Sequence, residues 1–269
     1  MVAPCEGWQP EGTSLQLGAA TEFSRSTFHY RRDIIRSGVS ALFRKDADFE
    51  AFERVIIEAH TRHPIRILSY CVLSNHWHFV VWPEADGQLT EFFRWLAHTH
   101  AMRWRVAHRT VGYGPLSRGR LESFPVQNGK PLLTVSGYVE GNAVGAGLAS
   151  RAEQWRWGSL WARMHGDDAL EAILCPWPVK RPRDWTARVN AALSTKELDR
   201  LRVSVARGRP FGEDEWVKET ARALALEHTL RPEGRPRKSG NKLRTGSISP
   251  ISPERNYVHA CWLKRLLPN

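Results

Sequence analysis

Two neighbouring stretches of the chain concentrate apolar side chains in the way that paired strands do. Residues 65–73 and 76–82 are rich in β-branched and aromatic residues, and only two polar residues separate them. Such a short connection is typical of a β-hairpin. Residues 28–36 and 120–126 are predicted to form two further strands.

Three other segments repeat apolar side chains at three- and four-residue steps, the spacing of one face of an α-helix. The first helix is predicted to begin at Asp46 and to end before Pro64, and the second covers residues 89–108. The third begins at Pro131, and proline suits the first turn of a helix because its missing N–H has no partner to lose there.

The predicted elements follow the order strand, helix, strand, strand, helix, strand, helix. This is the order of a split βαβ, ferredoxin-like fold. We therefore expect an α+β domain built on an antiparallel sheet with its helices on one face.

Composition divides the chain into four parts. Residues 1–22 are rich in Gly, Pro, Ser and Glu and are predicted to be a flexible leader. The sheet and its helices occupy residues 23–165, and a helical extension follows over 166–230. Residues 231–269 are predicted to be a basic, flexible tail, because their first part combines Lys and Arg with Pro and Gly.

The charge of the chain narrows the classes of partner. The 269 residues include 39 Lys and Arg against 28 Asp and Glu, a formal net charge of +11, which favours phosphate polyanions. No segment has the ~18 uninterrupted apolar residues of a membrane helix, so we expect no membrane partner. The first residues lack the features of a secretory signal, and the four cysteines form no CxxC pair, so we expect a cytoplasmic protein.

His76 and His78 lie two residues apart on the second strand of the predicted hairpin. Because side chains alternate along a strand, both imidazoles face one side, while Trp77 and Phe79 face the other. Two imidazoles on one rigid face make half of a divalent-metal site. For an isolated pair of this kind the alternative is two structural histidines, since so short a motif recurs by chance.

Tyr138 and Asn142 lie four residues apart on the third predicted helix, so they share one helix face. Taken alone, they can equally be a core tyrosine and a helix-terminal asparagine. In a split βαβ fold this helix can pack across the sheet and bring Tyr138 towards the histidines. The two pairs therefore carry more weight together than apart.

Cations and aromatic rings supply candidates for binding single-stranded nucleic acid. Arg103 and Arg105 on the second helix can line a groove, and Trp77 and Trp104 can stack on bases. The alternative is that the tryptophans belong to the core and the charges to a solvated face.

Several ordered motifs resemble those of one enzyme family. They are residues 73–81 (LSNHWHFVV), 118–126 (RGRLESFPV), 138–148 (YVEGNAVGAGL), 155–160 (WRWGSL), 204–212 (SVARGRPFG) and 230–238 (LRPEGRPRK). The sequence resembles the single-tyrosine HUH transposases and, among them, most closely the REP-associated tyrosine transposases. The likeness covers roughly residues 25–240.

The resemblance implies a role for each residue of the two pairs. Tyr138 is expected to be the nucleophile that attacks a DNA phosphodiester, leaving a 5′-phosphotyrosine and a free 3′-OH. His76 and His78 are expected to bind Mg²⁺ or Mn²⁺, with Asn142 as a third ligand. The implied enzyme nicks and transfers single-stranded, hairpin-forming DNA.

Three arginines are candidates for contacting DNA. Arg120 belongs to the motif before the predicted third helix. Separately, Arg235 and Arg237 lie in a stretch that resembles the Gly-Arg-Pro core of minor-groove AT-hook tails. A plain basic linker is the alternative for the tail, and it would contribute salt-dependent affinity for the phosphate backbone.

The sequence departs from the family pattern at two places. The usual Asn-Pro-x-Arg reads Asn142-Ala143-Val144-Gly145, which removes one phosphate contact. Gly141 stands where a larger residue is commoner. Glycine costs about 1 kcal/mol relative to alanine inside a helix, so we expect a looser turn at this position.

Two other functions stay open at this level. The chain can be a non-catalytic, domesticated protein that binds hairpin DNA, a reading favoured by the lost Pro and Arg. It can also be an RNA-binding module, since the same sheet topology serves RNA recognition. The sequence leaves open whether the chain is a monomer or a homodimer.

Overall fold

A computed structural model describes residues 42–112, 121–166, 168–231 and 258–263. In this part of the chain the protein is α+β, with one four-stranded antiparallel sheet and several helices. The predicted leader and the strand predicted at residues 28–36 lie outside the described residues.

The strands, numbered in chain order, are β1 (Arg66–Val72), β2 (Trp77–Trp82), β3 (Leu121–Val126) and β4 (Val258–Leu263). Their order across the sheet is β1-β2-β4-β3, and each neighbouring pair is antiparallel. The predicted hairpin is confirmed: β1 pairs with β2, and the Leu73 amide donates to the His76 carbonyl across the turn at 2.8 Å.

Strand β4 comes from the segment that we predicted to be a flexible tail, and it lies between β2 and β3. The prediction of a tail is therefore wrong for residues 258–263. Apolar and polar residues do not alternate regularly in this short strand, because both of its faces are covered. Val258 and Ala260 pack on one face of the sheet, and Cys261 packs on the other. A run of six residues behind a long polar stretch carries too little periodicity to be recognised in the sequence.

The helices of the described residues are α1 (Asp46–Arg62), α2 (Gln88–Ala107), α3 (Lys130–Glu140), α4 (Asn142–Gly145), α5 (Ser159–His165), α6 (Asp168–Glu171), α7 (Trp185–Asn190), α8 (Thr195–Arg207) and α9 (Asp214–Ala223). The three helices predicted on either side of the hairpin are confirmed as α1, α2 and α3. The Asp48 carboxylate accepts the backbone amides of Arg44 and Lys45 at the start of α1, which satisfies donors that the helix leaves open. Pro131 lies in the first turn of α3, as expected.

Helices cover both faces of the sheet, so the prediction that they lie on one face is wrong. On one face, Phe52 of α1 and Phe93 of α2 contact Trp77 of β2, with ring centroids 6.3 and 5.4 Å apart. On the other face, α3 and α8 pack against Val80 and its neighbours. The strands β1 and β2 are apolar at nearly every position because both of their faces are buried.

A Trp-rich segment after α4, residues 155–161, covers the edge of β1 that does not pair with β2. The Val72 amide donates to the Trp157 carbonyl at 2.9 Å, and the Tyr70 amide donates to Ser159 Oγ at 3.0 Å. The indole of Trp155 donates in turn to the Val72 carbonyl at 2.9 Å. These hydrogen bonds satisfy edge groups that would otherwise offer a template for another chain. No helix among the described residues is long and apolar enough to cross a membrane.

Candidate active site

The β1–β2 hairpin brings His76 and His78 together. His76 precedes β2 and is half-buried, while His78 lies within the strand and is 3% exposed. The centroids of the two rings are 4.7 Å apart. Trp77 and Phe79 point to the opposite face, where they join the core beneath α1 and α2.

Helix α3 carries Tyr138 to the face that bears the histidines. Leu132, Val135 and Val139 are fully buried against the sheet, and burial of each such side chain stabilises the contact by about 1.5–3 kcal/mol. The Tyr138 ring lies edge-on to His78, with centroids 6.1 Å apart. The structure thus joins three of the residues that the sequence singles out.

Asn142 is the first residue of α4 and is half-buried. The backbone stays helical through the junction, because Gly141 has φ −85° and ψ 0° and its amide donates to the Gly137 carbonyl at 2.9 Å. Asn142 therefore follows Tyr138 by one turn on the same side of the helix. Its side-chain amide makes no hydrogen bond within the part of the chain that the structure describes.

The surroundings of His78 favour the neutral form of its imidazole. Burial, with a smaller contribution from His76, holds the pKa of His78 well below its usual range. The Nδ1 of His76 lies 2.5 Å from the side-chain oxygen of Asn75. An amide oxygen can only accept, so Nδ1 carries the proton in this contact and the ring is held in one orientation. A metal ion binds the neutral form of an imidazole.

The residues around Tyr138 offer a donor set for a divalent cation. Two imidazoles of His76 and His78 supply nitrogen, and the amide of Asn142 supplies an oxygen of the kind that Mg²⁺ and Mn²⁺ accept. In the described ranges, no group of three His, Cys, Asp or Glu side chains could hold a metal ion. A cation bound here would therefore take oxygen from Asn142, from water or from a phosphate.

Sequence reasoning missed one acidic residue on the same face. The backbone of Trp262 in β4 pairs with His78 on one side and with Glu122 of β3 on the other. Cross-strand partners share a face, so Glu122 lies in one row with His78. The alternation of residues 121–126 places Glu122 with Phe124 and Val126, but only the insertion of β4 sets its distance from the histidines.

The back of α3 packs closely against α7. A Cβ on Gly141 would lie 2.8 Å from the Val189 carbonyl oxygen, and one on Gly137 would lie 3.5 Å from the Trp185 ring. Gly141 therefore has a packing role beside its effect on the helix, which is interrupted at this residue between α3 and α4. The glycine allows the backbones of α3 and α7 to approach each other, and a larger side chain has no room there.

Three of the candidates for nucleic-acid binding, Trp77, Trp104 and Arg103, are not brought to this site. Trp77 and Trp104 are 1% and 5% exposed and belong to the core, as the alternative reading held. Both guanidinium nitrogens of Arg103 bind the Glu58 carboxylate, at 2.7 and 2.8 Å. The predicted contacts Arg120, Arg235 and Arg237 lie outside the described residues.

Comparison with models of protein families, with curated proteins and with solved structures finds no match to this chain. The function must therefore be argued from the residues and their arrangement alone.

Proposed function

We propose that the protein is a metal-dependent enzyme that nicks and transfers single-stranded, hairpin-forming DNA through a 5′-phosphotyrosine intermediate. The observation that carries this proposal is the edge-on approach of Tyr138 to His78, at 6.1 Å between ring centroids, with His76 beside them. A phenol and two imidazoles on one side of a rigid sheet form a constellation suited to phosphodiester chemistry.

Tyr138 supplies the nucleophile. Its hydroxyl oxygen attacks the phosphorus, the bond from phosphorus to the 3′ oxygen breaks, and the phenolic proton leaves the tyrosine as the 3′-OH forms. An unperturbed phenol has a pKa of about 10, so its oxygen must be deprotonated or polarised to react at neutral pH. The phosphotyrosine retains the energy of the broken bond, and a 3′-OH can reseal the strand by the reverse attack without ATP.

His76, His78 and Asn142 would hold the divalent cation, Mg²⁺ or Mn²⁺. When bound, such an ion draws charge from the non-bridging phosphate oxygens and orients the scissile bond. The chain itself arranges the site: β2 and the residue before it carry the two imidazoles, Asn75 orients His76, and α3 brings Tyr138 to them.

The arrangement of the sheet is compatible with a split βαβ, ferredoxin-like domain of the HUH type. In a ferredoxin-like sheet the first strand of the chain lies between the third and the fourth, which here would be the strand predicted at residues 28–36 between β2 and β3. In this protein β4 occupies that position. We propose that the domain is a variant of that fold in which the C-terminal strand supplies the central position.

DNA is the proposed partner because the chain carries a net charge of +11. Arg120, Arg235 and Arg237 remain the proposed contacts to its phosphates and minor groove.

Cleavage of a labelled hairpin oligonucleotide tests the proposal, with a denaturing gel to detect a covalent protein–DNA adduct. The wild type is expected to form the adduct with Mn²⁺ and to lose it with EDTA, and Tyr138→Phe is expected to form none. Tyr70→Phe is the matched control, because Tyr70 is fully buried on the opposite face, stacked on Phe79 at 5.8 Å. An adduct that persists in Tyr138→Phe would contradict the assignment of the nucleophile.

The second candidate is a non-catalytic protein that binds hairpin DNA. It is favoured by the sequence Asn142-Ala143-Val144-Gly145, which lacks the family's Pro and Arg. Binding of the same oligonucleotide without an adduct under any divalent metal would select this candidate.

A further inference from the structure

A buried carboxylate lies on the opposite side of α3 from Tyr138. Glu140 is 2% exposed and accepts two hydrogen bonds, from Ser159 Oγ at 2.6 Å and from the Trp185 indole at 2.7 Å. Residues two positions apart on a helix point about 200° apart, so Tyr138 faces the histidines while Glu140 faces α5 and α7.

One of the two hydrogen bonds links α3 to the strand that pairs with the histidine strand. Ser159 Oγ, which donates to Glu140, itself accepts the amide of Tyr70 in β1 at 3.0 Å. The next residue of β1, Cys71, pairs directly with His78. Two hydrogen bonds therefore connect the helix that carries Tyr138 to Tyr70, the chain neighbour of the residue that pairs with His78.

Apolar packing alone does not explain a carboxylate at this position. Leu132, Val135 and Val139 already bury the front of α3, and an apolar side chain at 140 would avoid the cost of desolvating a charge. Apolar contacts are not directional, whereas hydrogen bonds have preferred lengths and angles. The Glu140 carboxylate therefore fixes the rotation and the axial position of α3, which Gly137 and Gly141 allow to lie close against α7.

We propose that Glu140 is a positioning residue, which through Ser159 and Trp185 holds the Tyr138 ring in place beside His78. The inference rests on the proposed function, because the hydroxyl needs this placement only if it reacts. A displacement of about 1 Å at a reacting group can cost about 10²-fold in rate, so a small rotation of α3 matters for Tyr138 far more than for stability.

The first test follows the Tyr138 ring without any DNA. The full-length protein is labelled with 3-fluorotyrosine, and among its five tyrosines the Tyr138 signal is the ¹⁹F resonance lost in Tyr138→Phe. Glu140→Gln and Ser159→Ala are expected to shift this resonance, because each breaks the path from β1 to α3. Asp48→Asn is the matched control, a buried carboxylate 7% exposed in α1 on the other face, and it is expected to leave the resonance unchanged.

The second test measures adduct formation at saturating hairpin DNA. Glu140→Ala is expected to lower the rate about 10²-fold while DNA affinity stays unchanged, with Glu140→Gln retaining part of the rate. A Tyr138 resonance that stays in place in folded Glu140→Gln and Ser159→Ala, or a rate that falls no further than in Asp48→Asn, would overturn the inference. A wild type that forms no adduct would refute the proposed function, and the fluorine signal would still decide whether Glu140 positions Tyr138.

Discussion

The two faces of the sheet both bury histidine among aromatic rings, but they surround it with different chemistry. Between α1 and α2, His100 is 7% exposed and lies between Phe43 and Phe52, at ring distances of 5.3 and 4.6 Å. Beneath α3, the equally buried His78 has His76 and Tyr138 as its ring neighbours. Burial alone does not identify a functional histidine. It is identified by neighbouring groups that can donate or accept a hydrogen bond or take part in a reaction.

The largest expected effect separates the two histidines by the same substitution. His78→Phe keeps an aromatic ring but removes a proposed metal ligand, so adduct formation should fall by more than the about 100-fold typical of lost outer-shell partners. His100→Phe should leave adduct formation unchanged at pH 7, because that ring lies on the other face of the sheet, against Phe43 and Phe52. Equal losses in the two variants, measured on the denaturing gel, would remove the distinction between the faces.

The pH dependence of the free energy of unfolding is expected to report on His100, the histidine buried between Phe43 and Phe52. Burial lowers the pKa of His100 to about 4 from an ordinary value near 6.5. As the pH falls, the His100 imidazole is therefore protonated in the unfolded chain before it is protonated in the folded protein. The contribution of His100 to the free energy of unfolding is complete above pH 6.5 and is lost as the pH falls towards 4. The full loss is about 3 kcal/mol.

Urea unfolding between pH 7 and pH 4 measures this dependence. His100→Phe should lose less stability than the wild type over that range, since its ring cannot take up a proton. An identical decrease in the two proteins would show that His100 is not enclosed as the structure has it.

The smallest expected effect concerns the back of the nucleophile helix. Alanine normally stabilises a helix by about 1 kcal/mol relative to glycine. Gly145→Ala should raise the free energy of unfolding by about this amount, because the new Cβ meets no atom within 4 Å. Gly141→Ala should instead lose about 1–3 kcal/mol, since its Cβ would lie 2.8 Å from the Val189 carbonyl. Free energies of unfolding compare the two variants, and a gain at both positions would contradict the close packing of α3 on α7.

Local patterns in the sequence predicted a good part of this fold. The apolar runs of the hairpin and the helical periods of α1, α2 and α3 depend on neighbouring residues, and the structure confirms each of them. Strand alternation and helical spacing also placed His76 with His78, and Tyr138 with Asn142, on shared faces. How far these faces lie from one another is a property of the packed molecule.

The remaining features depend on residues far apart in the chain. Strand β4 joins β2 and β3 from more than 130 residues beyond β3, and the position of Glu122 relative to His78 follows from it. The need for glycine at 141 comes from Val189, and the role of Glu140 depends on Ser159 and Trp185. Local periodicity in a sequence does not indicate contacts between distant residues. The sequence therefore did not predict that helices cover the second face of the sheet, or that α3 packs against α5 and α7.

The central claim is that Tyr138 reacts with DNA beside the two histidines, and peptide mapping of the covalent adduct tests it most directly. The hairpin oligonucleotide is incubated with the full-length protein and Mn²⁺, the adduct is digested with protease and nuclease, and the modified peptide is identified by mass spectrometry. The account predicts one nucleotide-bearing residue, Tyr138, attached through a 5′ phosphate. A nucleotide on any other residue, or attachment through a 3′ phosphate, would contradict it.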